Sequence, residues 1–322
     1  MSLCEPFLLR PAGKDYLWGG TRLKTEYGKD LPLSPLAETW ECSVHPDGPS
    51  VVVSGIHAGR PLPEVLAEHP EYLGSHGQKF GTFPILVKLI DAKQDLSVQV
   101  HPGDDYALTH EGQLGKTELW YVVDALPGAR LVCGFEHDVT AAQLRAAIAG
   151  GTLQKHLHSV EVHAGDVFFI PPGTVHAIGA GCLIAEIQES SNVTYRLYDY
   201  NRRDKQGSLR PLHVDKALDV LNMKRGFQDR QVPRLIRYRP GCSHQIIGRC
   251  AYFQVERLRV SGTCRLEVGP ESFQVLLAIR DQGNVRWQGE SYCLSAGSCL
   301  LCPASAGAVE VSGNIEMVKI LC

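Results

Sequence analysis

The sequence has no long hydrophobic run. Its 322 residues contain no uninterrupted apolar stretch of about 18 residues, which a membrane-spanning helix would need. Residues 1–10 also lack the basic segment, apolar core and small-residue cleavage site that are typical of a secretory signal. We therefore expect a cytoplasmic protein with no membrane partner.

The sequence also has no strong excess of one charge. Lysine and arginine total 32 against 35 aspartate and glutamate, which gives a formal net charge of −3. Without a broad basic surface, the protein is not expected to bind nucleic acid or anionic lipid. An anionic ligand would therefore have to meet locally placed lysines or arginines.

The cysteines do not form a disulfide pattern. There are 11, an odd count, scattered along a chain long enough to fold without cross-links, and this favours reduced thiols. Cys299 and Cys302 have CxxC spacing, but the sequence has no second CxxC. Their apolar run, residues 298–303, is typical of a strand, where residues three apart point to opposite faces. We predict a buried structural pair rather than a metal chelate or redox dithiol.

Short apolar runs bounded by glycine and proline predict a mainly β fold. We expect strands over residues 50–53, 85–90, 96–100, 119–123, 166–170 and 252–260. Helical patterns are fewer and cover residues 62–73, 140–149 and 214–221, the second opened by a capping-box spacing of Thr140 and Gln143.

The length favours two domains. Residues 222–234 turn polar and charged before the strand pattern resumes, so we place a boundary between residues 228 and 229.

One internal repeat links the two predicted domains. Residues 164–171 and 296–303 share the order of turn, apolar strand and proline at the same spacing. Five residues beyond the proline, the first copy has His176 and the second has Ala308. We therefore expect a metal ligand in the first domain and no metal ligand in the second.

Four separated residues form a candidate metal site. Gln99 and His101 alternate with apolar Val98 and Val100, so a strand would point both polar side chains to one face. Glu118 opens the next predicted strand, and His176 follows a Pro-Pro-Gly turn. Two imidazoles, a carboxylate and an amide oxygen suit zinc or another first-row divalent ion, with a position left open.

Several longer motifs are spread along the chain. They are WGG (residues 18–20), ETWECSVHP (38–46), LSVQVHP (96–102), GKTELWYV (115–122), PPGTVHAIG (171–179) and EIQESSNVTYRLYDYNR (186–202). With these motifs the sequence resembles type I mannose-6-phosphate isomerases of the short bacterial form. The resemblance covers nearly the whole chain, and the motifs occur in the family's order.

The resemblance implies two cupin-type jelly-roll barrels with a few short helices in the N-terminal half. Residues 1–228 would be the catalytic domain, and residues 229–322 a degenerate cupin without metal ligands. It also implies one zinc ion per chain, held by Gln99, His101, Glu118 and His176. The implied reaction is the interconversion of mannose 6-phosphate and fructose 6-phosphate, with sugar phosphate as partner and the chain as a monomer or weak homodimer.

Four further positions carry over from the family pattern: Lys88 and the candidate catalytic residues Lys116, Glu186 and Arg196. Aldose–ketose exchange passes through an enediolate, so the site needs a base as well as stabilisation of negative charge on oxygen. Lys116 and Glu186 are both candidate bases, although Glu186 fits equally well as a partner that orients a metal ligand. Arg196 and Lys88 are candidates for binding the substrate phosphate, and either could instead form a structural ion pair.

This chain departs from the longer family members at one place. Those proteins carry a His-Lys-Pro-Glu run where this sequence has residues 115–118, Gly-Lys-Thr-Glu. A mechanism that assigns ring opening to that histidine therefore does not transfer to this chain.

Two other classes of function fit part of the pattern. Two histidines and a carboxylate also describe non-haem iron oxygenases, although nearby Lys88, Lys116 and Arg196 favour a phosphorylated substrate. A non-catalytic sugar-phosphate sensor is the third possibility, but it would be expected to lack a ligand or an arginine. All of these residues are present in the sequence.

Overall fold

Strands dominate the computed structural model, which describes residues 4–203, 207–226 and 230–322. Within those residues the strands are β1 (Phe7–Arg10), β2 (Ala12–Lys14), β3 (Glu38–Cys42), β4 (Val51–Val52), β5 (Ile85–Asp91), β6 (Val98–Val100), β7 (Glu118–Ala125), β8 (Arg130–Phe135), β9 (Leu157–Glu161), β10 (Val167–Ile170), β11 (His176–Ile178), β12 (Cys182–Glu189), β13 (Tyr195–Tyr198), β14 (Arg234–Arg239), β15 (Cys242–Arg249), β16 (Gln254–Val268), β17 (Gln274–Trp287), β18 (Glu290–Ser295), β19 (Cys299–Cys302) and β20 (Gly307–Leu321).

The helices are short. The α-helices are α1 (Arg22–Thr25), α2 (Leu62–Glu68), α3 (Gly74–Gly77), α4 (Asp104–Glu111), α5 (Ala141–Ala149) and α6 (Val214–Val220). Four 3-10 helices are formed by Gly55–His57, Pro70–Leu73, Gln78–Phe80 and Leu153–His156. Across the described ranges, no helix has the length and apolar character needed to cross a membrane.

Local sequence signals explain where two of the helices begin and end. The helix predicted over residues 62–73 is interrupted, because α2 stops at Glu68 and Pro70 begins a separate 3-10 helix. Proline lacks the N–H that an α-helix needs and clashes with the preceding turn. The capping box predicted for α5 is present, with the Thr140 side chain accepting the Gln143 amide N–H.

The chain divides into two compact units. The first unit comprises residues 1–14, 21–89 and 232–322, and the second comprises residues 15–20 and 90–231. The boundary predicted between residues 228 and 229 lies outside the described residues, so the domain division stays a prediction. The compact units group residues 1–14 and 21–89 with the C-terminal strands.

The first unit is organised around one large sheet, in the order β14-β15-β16-β20-β17-β19-β1-β4, with β18 paired to β17. Alternate residues of β16, including Leu258, Val260 and Leu266, are buried in one hydrophobic core. Both Cys299 and Cys302 on β19 are buried free thiols, as the strand pattern predicted.

The second unit contains an antiparallel sheet in the order β13-β6-β11-β8-β9, and a second group in which β7 pairs with β10 and β12. Val98 and Val100 of β6 pack into a core that also contains Leu144 of α5 and Ala217 of α6. Because strand side chains alternate, Gln99 points to the opposite face from this core.

The two copies of the sequence repeat have similar local structure. Gly165 (φ 93°) and Gly297 (φ 89°) each adopt a left-handed turn conformation that favours glycine, and a four-residue strand follows, β10 or β19. His176 then opens β11, whereas Ala308 lies near the start of β20. The repeat therefore consists of two similar turn-and-strand units, and only the first is followed by a histidine, His176.

The prediction of a mainly β fold is confirmed, but closed barrels are not. Among the described residues, the large sheet of the first unit ends at edge strands β14 and β4, and the five-stranded sheet of the second ends at β13 and β9. A closed barrel has no edge strands. The two jelly-roll barrels therefore stay a prediction.

A buried polar cluster occupies part of the first unit. Glu256 on β16 accepts hydrogen bonds from His244 and Gln254, and its Oε2 lies 2.7 Å from Lys319 Nζ. Burial opposes ionisation of Glu256, but His244 and Lys319 outweigh it and lower its pKa to about 2. The carboxylate is therefore ionised and paired in the folded chain.

Replacing Glu256 should produce a pH-dependent loss of stability. The folded-state pKa lies below the ordinary value of about 4.3, so the carboxylate stabilises the fold above that pH and loses this effect as the pH falls towards 2. Thermal unfolding followed by circular dichroism should therefore show Glu256→Gln well below wild type at pH 7, with the gap narrowing between about pH 5 and pH 3. A constant gap across that range would contradict the ion pairing.

Candidate metal centre

Two buried imidazoles face each other in the second unit. The Nε2 atoms of His101 and His176 are 3.1 Å apart, and both rings are almost fully buried. His101 Nδ1 lies 2.8 Å from the Val193 carbonyl, and His176 Nδ1 lies 2.9 Å from the Thr174 carbonyl. A carbonyl oxygen only accepts hydrogen bonds, so each Nδ1 carries the proton. Both Nε2 lone pairs are therefore directed at the same point.

Glu118 completes a group of three potential ligands. Its Oε1 lies 3.3 Å from His101 Nε2, and its Oε2 lies 3.8 Å from His176 Nε2. The ligand atoms of the three residues all lie within 4.8 Å of one another. Glu118 is fully buried, and its Oε2 has no hydrogen-bond donor among the described residues.

The protonation states of this group suit a divalent cation. Burial lowers the pKa of His101 to about 4, with a further contribution from the positive charge of Lys116. Burial also lowers the pKa of His176. Burial opposes ionisation of Glu118, but Lys116 and the histidines hold its pKa well below the usual range. Neutral imidazoles and an ionised carboxylate are the forms that ligate metal, and a cation would relieve the repulsion between the two facing lone pairs.

Gln99 joins this group through strand pairing. It lies opposite His176 between β6 and β11, and its side-chain amide nitrogen is 3.3 Å from His176 Nε2. The terminal amide is therefore close enough to supply a fourth ligand, as the sequence predicted. A role for Gln99 as a ligand stays a prediction.

Arg196 lies in the same row of side chains. It is opposite Gln99 between β13 and β6, and cross-strand neighbours share a face of the sheet. Its Nε is 3.4 Å from Ser97 Oγ, and that hydroxyl in turn donates to Gln99 Oε1 at 3.2 Å. A second guanidinium nitrogen donates to the Pro211 carbonyl at 2.9 Å. Arg196 is therefore linked to the ligand group through one hydroxyl.

Lys116 and Glu186 lie beside the ligands. Lys116 Nζ is 3.1 Å from His101 Nε2 and donates to Glu118, and it is 3.9 Å from Glu186 Oε1. The other Glu186 oxygen accepts a hydrogen bond from Trp120 Nε1 at 2.9 Å. The structure therefore brings together both residues that the sequence proposed as candidate bases.

Lys88, predicted to bind the substrate phosphate, lies in the first compact unit. It is buried on β5, with Nζ 3.8 Å from Glu38 Oε2 and 5.1 Å from the centre of the Trp40 ring. These contacts fit the alternative of a structural ion pair. Its role towards phosphate stays a prediction.

Sequence reasoning missed two residues that touch the site. Ser97 and Trp120 each lie two positions from a predicted ligand, Gln99 and Glu118 respectively. The alternation of strand side chains places residues two apart on one face and could have identified both.

Comparisons with known proteins identify the family of the chain. Residues 7–117 match the family model "Phosphomannose isomerase type I, catalytic domain", and residues 244–322 match "Mannose-6-phosphate isomerase, cupin domain". The chain is 38% identical over 316 residues to a mannose-6-phosphate isomerase of Streptococcus mutans, covering 98% of both chains. It is 36% identical to Mannose-6-phosphate isomerase ManA of Bacillus subtilis, again covering 98% of both.

A solved structure shares the fold along nearly the whole chain. The crystal structure of a mannose 6-phosphate isomerase from Bacillus subtilis superposes with a TM-score of 0.91 at 32% sequence identity, covering 98% of this chain and 99% of that one. Fold and site together define a mainly β protein with a cupin domain and a buried His-Glu-His group suited to metal. The chain belongs to the type I mannose-6-phosphate isomerase family.

Removing one imidazole should remove the metal without unfolding the protein. His101→Ala deletes one of the facing Nε2 donors, and we expect at least a roughly hundredfold loss of metal affinity. Metal content can be measured by inductively coupled plasma mass spectrometry, with folding checked by circular dichroism. His158→Ala is the matched control, because His158 pairs with Glu136 outside the site. Full metal content in His101→Ala would show that the ligand group is misassigned.

Proposed function

We propose that this protein is a zinc-dependent aldose–ketose isomerase that interconverts mannose 6-phosphate and fructose 6-phosphate through an enediolate. The observation that carries the proposal is the buried group of His101, Glu118 and His176 with an amine and a second carboxyl beside it. The family and the names of its full-length relatives supply the substrate.

Zinc suits the proposed reaction, which needs no redox metal. His101, Glu118 and His176 would hold the ion, with Gln99 as a fourth ligand, and this mixed nitrogen and oxygen set is common at catalytic zinc sites. Isomerisation moves one proton between neighbouring carbons and needs no change in metal oxidation state. When bound, zinc supplies Lewis-acid polarisation of a carbonyl, worth roughly several kcal/mol. We propose one zinc ion per chain.

Lys116 is the better placed of the two candidate bases. Its Nζ lies 3.1 Å from His101 Nε2, at the edge of the ligand group. Glu186 Oε1 lies 3.9 Å from Lys116 Nζ, and the other Glu186 oxygen already accepts a hydrogen bond from Trp120. We assign proton transfer between the sugar carbons to Lys116, and assign Glu186 the orientation of that amine.

The phosphate would be bound by Arg196. Its guanidinium is half-buried, and one of its nitrogens is held by the Pro211 carbonyl, which limits the orientations of the fork. A planar fork can donate two hydrogen bonds to a phosphate at once. A role of Lys88 towards the phosphate is proposed from the family pattern alone.

The remaining expectations from the family form part of the same proposal. Residues 1–228 would be a catalytic cupin domain, and residues 229–322 a degenerate cupin, each a jelly-roll barrel. The chain would work in the cytoplasm on a small sugar phosphate, as a monomer or weak homodimer, without nucleic acid or membrane.

A coupled assay tests the reaction and the metal together. Added mannose 6-phosphate should yield fructose 6-phosphate, a chelator should abolish conversion, and added zinc should restore it. The assay needs an established isomerase as a positive control. If metal-replete protein leaves mannose 6-phosphate unchanged, the proposed reaction is wrong. Predominant iron in the purified protein, with oxygen consumption, would contradict the zinc assignment.

The assignment of the base can be tested separately. Lys116→Met should lower kcat by about 100- to 10,000-fold, the usual contribution of a general base, while metal content is retained. Exchange of the migrating hydrogen with deuterated water should slow in parallel. Glu186→Gln should lower kcat less. If Lys116→Met keeps wild-type exchange while Glu186→Gln loses it, the two roles are reversed.

A further inference from the structure

The segment that carries Lys116 is anchored to the stretch that follows His101. The amide N–H of Gly115 donates to Asp104 Oδ1 at 2.7 Å, and the amide N–H of Lys116 donates to the Pro102 carbonyl at 3.1 Å. A Cβ at Gly115 would lie 2.6 Å from the backbone nitrogen of Asp104, which real contacts do not allow. The backbone before Lys116 is therefore packed too closely against that stretch to accept any residue but glycine.

The backbone after Lys116 is held by a buried carboxyl group. The amide N–H of Thr117 donates to Glu189 Oε1 at 2.7 Å, and the amide N–H of Glu189 donates to the Thr117 carbonyl at 3.1 Å. Glu189 is only 1% exposed, and its Oε2 has no hydrogen-bond donor in the described part of the chain. The pair therefore joins the start of β7 to the end of β12 by two hydrogen bonds, one of them from a side chain.

Glu189 satisfies the Thr117 amide N–H with a buried carboxyl group, and burying such a group is unfavourable in free energy. Burial and the neighbouring carboxyl of Asp104 together raise the pKa of Glu189 to about 7, against the lowering effect of its hydrogen bonds with Thr117. An uncharged acceptor such as a carbonyl would satisfy the Thr117 N–H without the cost of burying a carboxyl beside a second one. The arrangement is explained if the position of the Lys116 backbone matters more than local stability.

We infer that Glu189 is a positioning residue that acts through the Thr117 amide to aim the side chain of Lys116 at the metal centre. Asp104 performs the same task on the other side of Lys116, through Gly115. The inference rests on the proposed function, because it assumes that Lys116 transfers the proton. Misplacing a catalytic group by about 1 Å can cost about a hundredfold in rate, so anchoring both neighbouring amides has a direct catalytic effect.

Two variants at Glu189 separate positioning from folding. Glu189→Ala removes the acceptor, and kcat should fall about tenfold to a hundredfold, with KM and metal content close to wild type. Glu189→Gln keeps an acceptor oxygen without a charge and should recover most of the lost kcat. Hydrogen–deuterium exchange of the peptide that contains Thr117, measured on the metal-loaded protein, should speed up in Glu189→Ala and stay slow in Glu189→Gln.

Glu256→Gln is the matched control, because it removes another buried carboxylate and should leave kcat unchanged. The inference is overturned if Glu189→Ala keeps wild-type kcat in an active enzyme. It is also overturned if kcat falls together with a rise in KM and a loss of metal, and Glu189→Gln gives no rescue. The exchange measurement does not depend on activity. An inactive wild type with a protected Thr117 amide would refute the proposed function, while an unprotected amide would refute the anchoring itself.

Discussion

The metal centre depends on two imidazole nitrogens that face each other without a proton between them. The Nδ1–H groups of His101 and His176 each donate to a backbone carbonyl. Their Nε2 lone pairs are therefore directed at each other, with the two Nε2 atoms 3.1 Å apart. Two such lone pairs repel each other, and Glu118 adds a negative charge to the same buried space. A cation at that point would be held by all three groups and would offset their mutual repulsion.

Charged groups beside the ligands are connected by a series of contacts. Lys116 contacts two of the candidate ligands, Glu186 faces Lys116, and Trp120 donates a hydrogen bond to Glu186. Glu189 and Asp104 accept hydrogen bonds from the backbone amides on either side of Lys116. These contacts limit the movement of Lys116, and a rigid arrangement of this kind lowers the reorganisation needed when charge develops during a reaction.

The described residues of the first compact unit contain no such group of ligands. At the repeat position that corresponds to His176 it has Ala308, and its interior is mostly apolar. Its buried polar cluster pairs Glu256 with Lys319 and His244, so these charges are balanced within the protein. Within the described residues, the only grouping of His, Cys, Asp and Glu side chains suited to metal is the one in the second unit.

Much of the fold could be predicted from local patterns. The strands β5, β7 and β19 and the cap of α5 follow from residue alternation and capping chemistry, which act within a few residues. Pro70 was a local signal for the end of α2, but the prediction of one helix over residues 62–73 followed the helical periodicity instead. No local pattern indicates whether a sheet closes into a barrel, because closure depends on which distant strands become neighbours.

By itself, the sequence determined the types of ligand and the face of each strand on which they lie. Through the family motifs it also predicted that Gln99, His101, Glu118 and His176 form one site. Only the tertiary structure decided that three of these meet within 4.8 Å, that Lys88 pairs with Glu38, and that Glu189 reaches the Thr117 amide. The physical reason is that side-chain periodicity reports the orientation of a residue on its own strand, whereas contacts 70 or more residues apart depend on strand pairing across the whole chain.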